Sequence, residues 1–332
     1  MVEELRAQAA AKREAGDEKE ETLWSNVLGT VLCQQGRHDV AVHFYERAFA
    51  ISRRVLSEDD KGRGVYMSNL ANTYGALGRH EDALAMREKV LEFHRRVLPP
   101  NHPDIGSSMS NLAATYFDLG RHEDALDMQE RALEFRRRVL PPNHSDIGSS
   151  MKNLANTYRA FGRHEDALAM RESAMEFYRR FLPPNHPHIV LCMGNLAATY
   201  TDLGRHEDAL AMQERALEFR RRVLPPNHPD IGLSMGNLAN TYRALGRHED
   251  ALAMQKRALE FRRRVLPPRH PDIATTLYNI SHSYEQAGNM QLAIECVREA
   301  LMIWQAALPP SHPHLKLAEN KVRYLESAAQ GR

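Results

Sequence analysis

The sequence predicts an all-α protein, a right-handed superhelical α-solenoid of seven tandem helix-turn-helix units closed by a C-terminal capping helix. Two observations lead there. A 42-residue internal repeat runs without insertion or deletion from Gly36 to Pro310, and the apolar residues inside each repeat follow a helical period, not that of a strand. The tract Gly-Arg-His-Glu-Asp-Ala begins at Gly78, Gly120, Gly162, Gly204 and Gly246, with weaker copies at Gly36 and Gly288. A Pro-Pro tract recurs in step at Pro99, Pro141, Pro183, Pro225, Pro267 and Pro309. One hairpin of two helices cannot bury both of its faces alone, so such units must stack.

Taken in order, residues 1–19 are a charged N-terminal segment that reads either as a helix over 2–14 or as a disordered stretch. The seven repeats occupy 20–308. The first pairs a helix over Glu20–Gln35 with one over His38–Leu56, and its linker, Ser57 to Gly62, lacks the Pro-Pro tract. The third repeat shows the shared design. Ile105, Met109, Leu112, Ala113, Tyr116 and Leu119 form the stripe of an amphipathic helix. Gly120 then ends that helix, as a residue tolerant of left-handed backbone does. The second helix starts near His122. It carries Glu123 and Asp124 in its first turn and Arg136, Arg137 and Arg138 in its last, both favourable to the macrodipole. Its apolar residues, Ala125, Leu126, Met128, Ala132, Leu133, Phe135, Val139 and Leu140, cover more than one face, as a helix held between neighbours requires. Ala113 and Ala125 are small enough to let the paired helices approach closely. Pro141-Pro142 stops the helix, and Pro103 suits the first position of one. Residues 309–332 are a capping helix and tail. The helix, over Pro313–Ala328, is made polar by Lys316, Glu319, Lys321, Arg323 and Glu326.

Composition narrows the function classes. Apolar residues make up 42% and charged residues 26% of the 332, with a net charge of +1, so no global field steers the chain to nucleic acid or anionic lipid. Cys33, Cys192 and Cys296 are scattered and odd in number, which suits a reducing compartment. The charged N-terminus has no apolar signal core and no apolar run approaches a membrane span, so a cytoplasmic location without membrane contact is expected. Twelve of the 17 histidines fall into two repeat columns, one at the turn (His38, His80, His122, His164, His206, His248) and one in the loop (His102, His144, His186, His228, His270, His312). These columns lack the short ligand spacing of a metal site. The turn histidine reads as a packing residue and the loop histidine as a local hydrogen-bonding one. The Arg triplets at 136–138, 220–222 and 262–264 lie at helix C-termini beside Glu130, Glu134, Glu214 and Glu218, so nucleic acid is not an expected partner. No phosphate loop, nucleophile elbow or HExxH motif is present. Neither enzymatic activity nor a metal or cofactor is expected.

The repeat resembles the tetratricopeptide repeat, carried by Leu70, Ala71, Tyr74, Gly78 and Ala83. The 42-residue length and the Leu-Pro-Pro-Asn-His-Pro-Asp-Ile loop look like the subclass found in kinesin light chain and nephrocystin-like proteins. The second-helix aromatic of the family is kept as Tyr45 and replaced by Arg87, Gln129, Arg171, Gln213, Gln255 and Val297. The resemblance implies a concave groove, lined by the first helix of each pair, that binds a protein or peptide.

On that geometry the groove is lined by Asn69, Asn111, Asn153, Asn195, Asn237 and Asn279; by Asn72, Asn156 and Asn240, alternating with Ala114 and Ala198; and by Phe117, Asp118, Arg159, Asp202 and Arg243. A side-chain amide both donates and accepts, so the unbroken asparagine column could grip an extended peptide whatever its sequence. Alternatively, each asparagine ties its helix to the backbone of the neighbouring repeat. Lys152 and Asn156 have the spacing of a carboxylate clamp, although Ala198 stands where its second asparagine would be. Residues 120–161 match 204–245 at 37 of 42 positions but match 162–203 at only 26, so the array has an 84-residue superperiod. Asp118, Arg159, Asp202 and Arg243 alternate accordingly. They either select a partner of mixed charge or pair with one another. The function expected is a peptide-holding scaffold. The other readings are a sensing or autoinhibitory array of a larger signalling NTPase, or a self-associating structural spacer, with the chain a monomer or weakly associated end to end.

Overall fold

The computed structural model describes residues 2–330, so Met1 and the last two residues of the C-terminal tail lie outside the described residues. Sixteen α-helices fill the described residues, joined by short turns and without a strand. They are α1 Val2–Glu14, α2 Glu18–Gln34, α3 His38–Val55, α4 Lys61–Ala76, α5 His80–Val97, α6 Pro103–Asp118, α7 His122–Val139 and α8 Ser145–Ala160. Then follow α9 His164–Phe181, α10 Pro187–Asp202, α11 His206–Val223, α12 Pro229–Ala244, α13 His248–Val265, α14 Pro271–Gln286, α15 Met290–Ala307 and α16 Pro313–Gln330. Helices of 16 and 18 residues alternate from α4 to α15. The chain forms two compact units, Met1–Met170 and Arg171–Arg332. In each, successive helices pack in chain order.

In the first unit the charged N-terminal segment is helical, and Val2 and Leu5 of α1 pack on the first core cluster. The next cluster shows why the hairpins stack. It joins Leu84 and Leu91 of α5, Ile105, Met109, Leu112 and Ala113 of α6, and Met128, Ala132 and Phe135 of α7. Three helices from two repeats therefore share one core. Ala113 and Ala125 are fully buried, and a methyl group on Gly106 would stand 3.1 Å from the Phe135 ring. In the second unit, one cluster joins Leu210 and Leu217 of α11 to α12 and α13, and another joins α14, α15 and α16. α16 falls in register with the first helices, yet carries Glu319, Arg323 and Glu326 where α6 has Met109, Ala113 and Tyr116. Its outer side thus needs no further apolar partner.

The turn inside each repeat is built by one glycine. Gly120 has φ of +71°, its N–H donates to Phe117 O, and the Arg121 N–H donates to Tyr116 O at 2.8 Å. This pair of bonds satisfies the orphan carbonyls of α6. Arg121 also lies over the Tyr116 ring at 4.5 Å and pairs with Asp124 at 2.7 Å. The Tyr116 hydroxyl donates to Glu88 of the preceding repeat. The same linkage joins Tyr74 to Glu46, Tyr158 to Glu130, Tyr200 to Glu172 and Tyr242 to Glu214. Burial first, and then the bond to the Glu46 carboxylate, push the Tyr74 phenol up to about 12. The same causes, with Glu130, push Tyr158 up to about 12.

Between repeats, the loop histidine is the helix N-cap. His102, His144, His186, His228, His270 and His312 each accept the backbone N–H two residues on through Nδ1, at 3.2 to 3.3 Å. Asp60 takes that role in the linker without prolines, accepting from Gly62 N at 2.7 Å, so α4 starts within the span read as linker. Of the turn histidines, His122 packs on aromatic rings, edge-on to Phe117 at 5.3 Å and near Phe161 at 6.2 Å, whereas His248 is exposed.

Two outcomes follow. His144→Ala should destabilise the protein by about 1 kcal/mol and His144→Asp should restore most of it, measured by shifts of the urea midpoint. Tyrosine absorbance should show a class of phenols titrating near pH 12, as Tyr74 and Tyr158 do. Because their folded pKa lies above the ordinary 10.0, the stability they contribute is fully present below pH 10.0 and is lost as pH rises through the folded value.

Candidate functional site

The first helices present the residues singled out from the sequence. In the first unit Asn111 and Asn153 are exposed and Asn69 is half-buried; in the second, Asn195, Asn237 and Asn279 are half-buried. Asn72, Lys152, Asn156, Arg159, Asn240, Arg243, Phe117, Asp118 and Asp202 are all exposed. Asn72 and Asn69 come together with Asn111 around a pocket in the first unit. Lys152 and Asn156 stand one turn apart on α8.

The backbone beneath the asparagine column is occupied by other groups. The hydroxyls of Thr73, Thr115, Thr199 and Thr241 donate to the carbonyls of Asn69, Asn111, Asn195 and Asn237, at 2.8 to 3.2 Å. The preceding second helix reaches the same place through the position where Tyr45 is the aromatic. Arg87 donates to Asn111 O at 2.7 Å and to Thr115, and Arg171 donates to Asn195 O and Thr199. Thr157 donates to Gln129 Oε1 at 3.1 Å, and Ser283 to Gln255 Oε1 at 2.8 Å. Gln129, Arg171 and Gln255 are buried and Arg87 is half-buried where the aromatic stood. Asn69 spends its amide on the Asn26 side chain, at 2.9 Å. Among the described residues the side-chain amides of Asn111, Asn153, Asn195, Asn237 and Asn279 make no hydrogen bond to another protein group.

Burial pulls the Arg87 guanidinium below its ordinary range and Asp118 opposes that pull. Asp118 also lies 3.9 Å from His80 Nδ1. In the second unit, burial and the Lys321 ammonium lower His282, with Glu285 opposing and Arg243 adding to the lowering. Lys321 of α16, at the asparagine position of its helix, forms an ion pair with Glu285.

Two features escaped the sequence reading. One is an apolar column three residues before Ser68 and its equivalents. Leu23 and Val65 are exposed in the first unit, and Leu191, Leu233 and Leu317 in the second. Reading that position down the repeats would have found it, because Ser107, Ser149 and Thr275 fill it elsewhere. The other is the pocket itself, about 390 Å³, between α4, α5 and α6. Val65, Val90, Phe93 and Leu98 give it apolar walls, with Arg87, His94, Ser107 and the three asparagines as polar lining. His94 holds the position that carries Arg136, Arg220 and Arg262 in other repeats. There the arginines are buried, and donate to Ser150, Ser234 and Thr276 at 2.5 to 2.6 Å.

A family model described as tetratricopeptide repeat matches residues 19–96, 66–138, 104–180, 146–222, 188–264 and 230–306. Comparison with curated proteins gives no match. Among solved structures, the chain resembles a kinesin light chain-like protein of nearly identical repeats from Podosopora anserina, at 23% identity and a TM-score of 0.55, covering 61% of this chain and 95% of that one. It resembles BtubC from P. vanneervenii at 24% identity and 0.57, covering 70% and 94%. It also resembles a signal transduction ATPase with a tetratricopeptide repeat sensor from Pyrococcus horikoshii, at 16% identity and 0.64, covering 94% of this chain and 44% of that one. At these identities the likeness is one of fold.

Arg87→Met should destabilise the protein by about 1–2 kcal/mol, because the Thr115 and Asn111 acceptors lose a charged donor. Asn111→Ala should change stability by less than about 0.5 kcal/mol. Chemical denaturation of the two variants checks this, and equal losses would mean that the Asn111 amide is structural.

Proposed function

The chain belongs to the tetratricopeptide repeat family, and from that membership we propose that it is a non-enzymatic protein-interaction scaffold whose first helices hold an extended segment of a partner polypeptide. The observation that carries the reading is the division of labour at the asparagine column. Threonine and arginine side chains take up the helix carbonyls there, which leaves the amides of Asn111 and Asn153 in one unit, and of Asn195 and Asn237 in the other, for an incoming chain. An extended segment carries unpaired N–H and C=O groups, and an amide can satisfy both. The exposed Leu191 and Leu233 beside the column supply apolar contact without fixing a sequence.

A second reading, as the sensing array of a larger signalling NTPase, is supported by the fold likeness to the sensor-bearing ATPase across 94% of this chain.

The test begins with affinity capture and mass spectrometry to identify a partner, followed by titration with peptides that tile it. Asn111→Ala with Asn153→Ala, and Asn195→Ala with Asn237→Ala, should each weaken the tightest peptide by about 30-fold, two hydrogen-bonding groups being lost. Melting temperature should stay unchanged. Undiminished binding in both double variants would remove the asparagine column from the site.

A further inference from the structure

We propose that the pocket between α4, α5 and α6 sets the register of the bound segment by taking one of its tyrosine side chains, an inference that rests on the peptide-holding reading above. The repeats are near copies, so an asparagine column alone would hold a segment equally well one repeat further along. The pocket is a place where the copies differ. His94 is shorter than the arginine at the equivalent position of the next repeat, Arg136, and the space between α4 and α6 is left open.

The hydrogen bonds fix the chemistry of that space. Ser108 Oγ has one proton and donates it to Asp104 O at 2.8 Å. The contact of 2.7 Å between Ser108 Oγ and His94 Nδ1 therefore has the imidazole as donor. This network assigns the proton to Nδ1 and leaves Nε2 a bare acceptor. Arg136 donates to Ser150 in the same sense. Nε2 looks toward α4, 3.3 Å from where a methyl group on Gly64 would stand. Burial, reinforced by His102 and opposed by Asp104, holds the His94 imidazole below its usual range, so the ring is neutral at pH 7.

The occupant must bring a donor to Nε2. Lys61 and Arg87 outweigh Asp104 around the pocket, so the donor is neutral and not an ammonium or guanidinium. The amides of Asn72 and Asn111 at the rim offer donors of their own. A hydroxyl both gives and takes a hydrogen bond; an indole N–H only gives. Serine and threonine are too small for about 390 Å³ with apolar walls. A phenol on an aromatic body meets all of these conditions.

The experiment uses the full chain labelled with ¹⁵N-histidine and three probes, N-acetyltyrosinamide, N-acetylphenylalaninamide and N-acetyltryptophanamide. Long-range ¹H–¹⁵N spectra follow the His94 Nε2 resonance. The tyrosine probe should shift it saturably and bind about fivefold more tightly than the phenylalanine probe, the loss of one hydrogen bond, and more tightly than the tryptophan probe. His94→Arg, which installs the residue of three other repeats against a serine already in place, should abolish binding while keeping the circular dichroism spectrum and melting temperature. An unmoved His94 resonance, equal or tighter binding of the phenylalanine or tryptophan probe, or saturable binding to His94→Arg would each overturn the proposal. The probes have no extended backbone, so those results would leave the scaffold reading to be judged by the asparagine variants alone.

Discussion

Every repeat has more apolar surface than its own two helices can hide from water. Phe135, Ala132 and Met128 of one second helix share a core with Leu84 and Leu91 of the previous one and with the apolar stripe of α6. That shortage forces nearest-neighbour stacking and makes the interface between repeats, not the single hairpin, the unit of stability. It also dictates where variation is tolerated. Residues in the shared clusters are held to size and shape, whereas first-helix positions off the apolar stripe carry serine, lysine, glycine or tyrosine in turn, as Ser68, Lys152, Gly194 and Tyr278 do.

Stacking brings polar groups into regular registry as well. The Tyr116–Glu88 bond, the Arg121–Asp124 pair and the Gly120 turn occur together, and the turn alone also forms at Gly36 and Gly288. The glycine positions Arg121, the arginine covers the tyrosine ring, and the tyrosine reaches the previous repeat. Exposed ion pairs contribute little by themselves. Here they organise a turn whose main work is done by backbone hydrogen bonds and apolar burial.

The fold was legible because the repeat is overt and the turn glycine, the Pro-Pro tract and the helical stripe agree with one another. The loop histidine could be read as a local hydrogen-bonding residue. Its N-cap role needed the backbone, since only the extended φ and ψ of His102 aim Nδ1 at the Asp104 N–H. The asparagine column was visible as a column, but what engages the carbonyls beneath it was not. That depended on Arg87 and Arg171 reaching across to the next helix, a distance no local pattern encodes. The pocket was hidden for a related reason. It is bounded by three helices, and one of its walls is His94, a residue shorter than the arginine of the next repeat.

The alternation of Arg87 and Arg171 with Gln129 and Gln213 has a consequence for how such an array changes over generations. Arg87 and Arg171 are each followed, on the next helix, by an acid at the outer row, Asp118 or Asp202, and Gln129 and Gln213 by a base, Arg159 or Arg243. An unequal crossing-over that deletes or inserts one repeat between two hairpins breaks that sequence, placing two like cassettes side by side. An exchange of two repeats at once restores every junction. The gene therefore lengthens and shortens most readily in steps of two, and the near-identity of alternate copies is the trace such events leave.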